Sequence, residues 1–438
     1  MNPKMLATLL VVCVAAGFRT SAQIYDTNGD YVETFAGSGF SGYLDGVGQE
    51  TMFNFLSCEG CQGTDSIVAD TSGNLFVVDA DNYRIRKITP DGTVTTFAGN
   101  GGGYCYPPPP GYGANVSLCG CLGPMAIDHA NVLQIVSSGS GQICLVSIGP
   151  DAFVSQIILT NVPSYVGGIC VDSHNNIYFS TQNQIFRCQS NGVLTVFAGS
   201  GNSGLANGNG LFTSFCDPEA LAIDPADNIY VWDMGNELIR RIDPSQNVTT
   251  YAGTRGGADQ DGLGANAVFV AITAMCSDSS GNLILTDPGF YDEPGSGGSC
   301  VREITAATNV LTLAGSFTQV GYANGPGDSS EFDSLSGACY VNGVIYVVDS
   351  GNERIRSITN NFTEPPIVQA SLQLSLQLNT NAGLTITGGV GQTYKIQSSP
   401  DLSTWTSQAT IVLSSSPFLW IDPTPMSGNK FYRAVSVP

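Results

Sequence analysis

The stretch Asn74–Gly99, NLFVVDADNYRIRKITPDGTVTTFAG, returns along the chain, and that repetition restricts the fold more than any other feature. It holds three short apolar-alternating runs, Leu75–Val78, Arg84–Ile88 and Val94–Phe97. Asp79-Ala80-Asp81-Asn82 and Pro90-Asp91-Gly92 separate them, which is turn chemistry between strands. Closely similar text stands at Asn228–Gly253, and looser copies at Asn282–Gly315 and Val344–Thr359. One such unit cannot bury its apolar faces alone, so the copies must stack.

An additional run precedes each unit and ends in Asp in five places: Asp70, Asp128, Asp172, Asp224 and Asp278. A sixth, Ala338-Cys339-Tyr340-Val341, lacks the Asp and turns through Asn342-Gly343, a strong hairpin signal. Six copies of four strands predict an all-β, six-bladed β-propeller. The sixth copy stops after Arg354–Ile358 without a fourth strand, whereas Tyr31–Gly37 (YVETFAG) is such a strand without a copy. Pairing the two closes the ring and removes its open edge.

The pattern Phe35-Ala36-Gly37, Asp45-Gly46-Val47-Gly48, Asp70, Gly73-Asn74, Asp79, Asn82 and Arg84-Ile85-Arg86 resembles the NHL repeat. The fourth copy matches through Asn207-Gly208-Asn209-Gly210, Asp224, Asp233, Asn236 and Ile239-Arg240. The resemblance covers about Tyr31–Thr359 and implies an NHL-type six-bladed propeller.

Within the copies, Asp79 and Arg86 stand seven apart, as do Asp233 and Arg240, and Asp349 and Arg356; Asp287 and Arg302 keep the pair across an insertion. The second and third copies lose both partners together, with Ser137/Cys144 and Ser180/Phe186 in their place. Joint presence and joint loss predict structural Asp–Arg pairs across the hairpin, because a lone buried charge costs about 3–5 kcal/mol.

The loops from the fourth strand of one copy to the first strand of the next are long and glycine-rich: Ser38–Asp65, Asn100–Leu122, Ser200–Glu219, Thr254–Ile272 and Ser316–Ser336. They leave from one face, and variable loops on a rigid scaffold are where recognition concentrates. Tyr104–Tyr112 (YCYPPPPGY) reads as an extended polyproline spacer.

A net charge of −21 disfavours nucleic acid and anionic membrane surfaces as partners. Residues 1–22 read as a signal peptide: Lys4, the apolar run Met5–Phe18, then Thr20-Ser21-Ala22 before Gln23. That run is shorter than the ~20 residues a membrane span needs. The expected location is therefore secreted, periplasmic or on the cell surface. Of thirteen cysteines, Cys13 lies in the leader. The others are expected to include disulfides, notably Cys58/Cys61 and Cys105 with Cys119/Cys121. Cys170, Cys276 and Cys339 share a repeat position with Val68, Ala126 and Ala222, and read as small core residues.

The propeller is assigned to residues 24–359, a linker to 360–370, and a small β-sandwich to 371–438. Tyr394–Trp405 with Phe431-Tyr432-Arg433 resembles the fibronectin-like module that ends many secreted proteins of Verrucomicrobia and Planctomycetes, which implies a bacterial exported protein; Trp405 is its expected core anchor.

Catalytic signatures are sparse. There is no G-x-S-x-G, H-E-x-x-H or P-loop. The only histidines, His129 and His174, sit in turns, whereas NHL-like zinc lyases need several facing the channel. Propellers of the gluconolactonase or paraoxonase type hold Ca²⁺ at the channel mouth. The corresponding register here, five residues before the strand-one Asp, offers Asp65 and Glu219 as metal candidates, with Gly123, Gly167 and Thr273 elsewhere. Asp26-x-Asn28-x-Asp30 opens like a Ca²⁺ loop, but position 12 is Gly37, so it reads as a turn. The favoured reading is a secreted, non-enzymatic binding or scaffold propeller that takes a protein or carbohydrate ligand on its long-loop face. The alternative is a Ca²⁺-dependent lactonase, hydrolase or lyase at the channel mouth. Oligomeric state is open.

Overall fold

A computed structural model describes residues 23–26, 29–55, 65–102, 108–118, 122–139, 142–163, 165–289 and 297–359, with the strands of the C-terminal region. The leader, Asn28, Cys58, Cys61, Cys105, Cys119, Cys121, Tyr104–Pro107, the linker and Trp405 lie outside the described residues. The chain divides into two compact units, Met1–Asn360 and Asn361–Pro438.

The first unit is a six-bladed β-propeller. Its innermost strands are Ile67–Ala69, Met125–Ile127, Ile169–Val171, Pro218–Ile223, Ala274–Ser277 and Leu335–Val341. In blade one, Leu75–Asp79, Arg84–Ile88 and Thr93–Ala98 follow outward, each antiparallel to the last. Leu75–Asp79 is buried throughout because neighbouring blades cover both its faces. Thr93–Ala98 alternates, with one face toward water. The cores therefore lie between blades. One cluster joins Phe76, Val78 and Ile85 of blade one to Met125, Leu133 and Ile135 of blade two. No α-helix occurs among the described residues.

Four strands per copy is an undercount for five blades. The incoming loop adds a two-residue fifth strand to the outer edge: Gly46–Val47, Gly111–Tyr112, Gly208–Asn209, Gly262–Leu263 and Gly325–Pro326. Gly48 N donates to Gly92 O at 2.8 Å and its own carbonyl accepts from Gly37 N at 3.1 Å, so one loop ties two blades. The glycine of Phe-Ala-Gly is required there. Gly99 has φ +99°, and a Cβ on it would stand 2.3 Å from the Tyr83 carbonyl.

Tyr31–Ala36 closes the ring as the fourth strand of blade six, with Tyr31 opposite Thr359 and Val32 opposite Ile358. Before it, Gln23–Asp26 lies along blade five. Tyr25 pairs in parallel with Thr312, and Asp26 N donates to Thr312 O at 2.9 Å. In the second unit, Ala382–Thr387 pairs with Ser371–Leu376 and Phe418–Ile421, and Thr393–Ser399 pairs with Thr406–Val412 and Phe431–Val437.

Candidate ligand-binding face

Antiparallel alternation brings the turns between strands two and three to the same face as the long inter-blade loops. Buried charge fastens those loops. In blade one, Arg86 Nη1 donates to Asp79 Oδ2 at 2.7 Å and to the Met52 carbonyl at 3.1 Å. Its Nη2 donates to Asp45 Oδ1 at 2.7 Å and to the Leu44 carbonyl at 3.0 Å. Asp79 also accepts the Asn54 N–H at 2.8 Å, and Asn82 Nδ2 bridges Asp79 to the Gly42 carbonyl. A guanidinium has enough donors to hold one carboxylate beneath it and both arms of a loop above it.

The device recurs in three more blades. Arg240 holds Asp233 and Asn207, each at 2.7 Å. Arg356 bonds Asp349, with Asn324 at 2.8 Å. Arg302 meets three carboxylates: Asp261 at 2.9 Å, Asp287 at 3.1 Å and Asp259 at 3.4 Å. Burial pushes the Asp79 and Asp233 carboxyls up, and their backbone, asparagine and arginine donors pull them back. The same contest leaves Asp349 at about 6. The sequence pattern marks Asp45 and Asn207 only as repeat residues and leaves Asp261 and Asn324 unmarked; none is expected there as an arginine partner, although the Asp-Gly or Asn-Gly at each was the available signal.

The register corrects the expected occupants of blades two and three. Ser137 lies at the Asp79 position, but the residue at the Arg86 position is Val146, and Cys144 falls at that of Arg84. In blade three the pair is Thr181 and Phe186, since Ser180 opposite Ile185 matches Val78 opposite Ile85. Phe186 stacks on Phe179 with ring centroids 5.6 Å apart. Blade three has no fifth strand among the described residues.

The fastened loops carry exposed aromatic side chains. Phe40 is 71% and Phe212 88% exposed. Tyr43 lies 3.9 Å from the Arg84 guanidinium, and Tyr322 lies 3.9 Å from that of Arg354. These two stacked pairs flank the seam between blades six and one.

The central channel has a volume of about 260 Å³, lined by the innermost strands. Neither Asp65 nor Glu219 is among its lining residues. Asp65 accepts from Ser350 Oγ at 3.2 Å, a blade-six residue. Glu219 accepts from Tyr165 OH at 3.0 Å, on the blade-three side. The two carboxylates are thus engaged at different blade junctions. Among the described residues, no group of three or more His, Cys, Asp or Glu stands at metal-ligating separation. His129 and His174 are exposed turn residues.

The described cysteines, Cys144, Cys170, Cys188, Cys216, Cys276, Cys300 and Cys339, carry free thiols, so no disulfide occurs among the described residues. Cys170, Cys276 and Cys339 lie opposite Tyr178, Ile284 and Tyr346 at one common register. No helix of the described residues is long and apolar enough to cross a membrane.

No family model matches the chain. Teneurin-3 of Danio rerio is 26% identical over 367 residues, covering 71% of this chain. The chain spans only 13% of the length of the curated relatives it matches. Among solved structures, a protein of unknown function from Bacteroides thetaiotaomicron superposes with a TM-score of 0.57 at 19% identity, covering 75% of this chain and 76% of its own. An auxiliary nutrient binding protein from the same organism gives 0.55 at 17%, with coverage of 75% and 76%. At these identities the likeness is one of fold.

Proposed function

We propose that this chain is an exported, NHL-type binding or scaffold propeller whose long-loop face recognises a protein or carbohydrate ligand. The observation that carries this reading is the arginine clamp. Four buried guanidinium groups hold irregular loops in fixed positions, and those loops present exposed aromatic and apolar side chains. Pre-ordered loops lose little conformational freedom on binding, which favours affinity. Phe40, Phe212 and the Tyr43 and Tyr322 pairs suit the apolar face of a sugar ring or an apolar anchor of a protein.

The nutrient-binding neighbour is consistent with a binding role. The C-terminal strands support a small β-sandwich in the same exported protein. Affinity electrophoresis against soluble polysaccharides, with a secreted-protein array in parallel, tests the proposal. Binding that weakens at least tenfold in Phe40→Ala or Phe212→Ala supports it. Turnover of a lactone or ester that is lost in Glu219→Gln and Asp65→Asn would overturn it in favour of channel-mouth catalysis.

A further inference from the structure

Blade two departs from its neighbours at the end of its outermost strand. Where blade one has Phe97-Ala98-Gly99, blade two has Ile157-Ile158-Leu159. Without the glycine that turns the chain into a long loop, the strand Phe153–Leu159 runs straight on. From Val154 opposite Ile148 to Leu159 opposite Ile143, its pairing with the third strand keeps one register. In each of the other five blades that register shifts. Such bulges, like edge charges and prolines, keep a sheet edge from pairing with another chain. Phe153–Asn161 contains no charged residue and no proline, and Ile157 is 49% and Ile158 44% exposed.

The edge is also uncovered. The fifth strand pairs only with Phe153 and Val154, and among the described residues no strand covers Gln156–Leu159. Gln156 stands at the position of Thr96 in blade one and Thr312 in blade five. Both of those are occupied. Asp45 Oδ2 accepts the Thr96 N–H at 3.3 Å, whereas Pro110 stands at the Asp45 position of blade two. Thr312 N donates to Ile24 O and Thr312 O accepts from Asp26 N, both at 2.9 Å, so Gln23–Asp26 lies on that edge in parallel. Leu313 and Ala314, which follow, are buried. The Gln156 side chain accepts from Cys144 Sγ at 3.3 Å, while its main-chain N–H and C=O, and by alternation those of Ile158, face outward.

We propose that the blade-two edge Gln156–Leu159 takes an extended peptide segment of a partner protein as an added parallel strand, apolar at alternate positions and basic at its ends. Blade five supplies the geometry, because there the same edge position already holds a strand in parallel. The net charge of −21 supplies the preference for basic ends and disfavours a second copy of this chain, since two such chains repel. Main-chain hydrogen bonds would give the affinity. Ile157 and Ile158 leave the strand on opposite faces, and their contacts with alternate side chains would give the selectivity. This surface belongs to an outermost strand and uses none of the aromatic side chains of the long-loop face.

Selection of phage-displayed random dodecapeptides on the full chain, followed by fluorescence anisotropy with the recovered peptides, tests the proposal. The expected peptides alternate apolar residues between basic ends, bind more weakly as salt rises, and slow hydrogen exchange at the Gln156 and Ile158 amides. Gln156→Pro removes an outward donor that the blade does not use, so it should keep the parent's Tm and lose about tenfold or more in affinity. Ile158→Lys keeps the main chain and should block pairing in the same way. Recovery of no binding peptide, equal binding by Ile158→Lys and the parent, or protection of the long loops in place of blade two would overturn it. So would a dimer in sedimentation that Ile158→Lys dissolves, because the occupant would then be a second copy.

Discussion

Arg240 donates to the side-chain oxygen of Asn207 at 2.7 Å across 33 residues of sequence. Its other terminal nitrogen holds Asp233 at 2.7 Å, so one guanidinium joins a blade hairpin to the loop that crosses it. The hairpin bond is a matter of stability and the loop bond a matter of surface shape, and substitutions can separate them.

Arg240→Met leaves Asp233 buried without its cation and should destabilise the propeller by about 3–5 kcal/mol in urea unfolding. Replacing both partners with the blade-three residues, Asp233→Thr with Arg240→Phe, should recover most of that loss. A double variant as unstable as the single one would show that the pair is more than a compensated charge.

Asn207→Ala removes only the loop partner, and Asn207 is exposed. The expected cost is about 1 kcal/mol or less. Hydrogen exchange should quicken in the loop around Leu205–Gly210 while the strands stay protected.

Gly168 lies where blades three and four touch, and a Cβ there would stand 2.5 Å from the Glu219 carbonyl. Gly168→Ala should therefore cost about 1–3 kcal/mol, although the same change is stabilising at unconstrained sites. Thermal unfolding reads the sign directly.

Alkaline pH should unfold the propeller cooperatively. Burial pushes the Tyr25 phenol up to about 12, with Cys300, Asp328 and Asp261 adding to it. Tyr178 and Tyr230 are also raised, again first by burial, then by Asp172 and Asp224. The unfolded value is about 10. A group whose folded pKa is the higher one contributes its stability in full below pH ~10 and loses it as pH rises through the folded value. Phenolate absorbance should consequently rise together with the loss of β-sheet circular dichroism, and Tyr25→Phe should delay the onset.

Period-two runs and local turns made the four-stranded copies readable, and the orphaned Tyr31–Gly37 made the closure readable, because each signal lies within a few neighbouring residues. The fifth strand Gly46–Val47 is two residues long with no alternation, and its partner Val94 is remote, so no local pattern marks it. Counting from the hairpin Asp failed in blade two because its strands, Leu133–Gly139 and Gln142–Ile148, are longer than those of blade one. Asp65 and Glu219 could be placed at a common register, but Ser350 and Tyr165 come from neighbouring copies and spacing says nothing of them.

The pairing of Tyr31 with Thr359 also sets an order of events. The strand that completes blade six is made near the beginning of the chain, and its partner hairpin is made after every other blade. Bringing the two together closes the longest loop in the propeller, whose entropic cost grows slowly with length but must be met before the contact rewards it. Until the last hairpin arrives, blade six presents an open edge and Tyr31–Ala36 an unpaired strand. A chain ending at Thr359 but lacking Tyr31–Ala36 should hence capture a synthetic peptide of that sequence, and one halted before Arg354 should not, which makes the final step of ring assembly accessible to kinetic measurement.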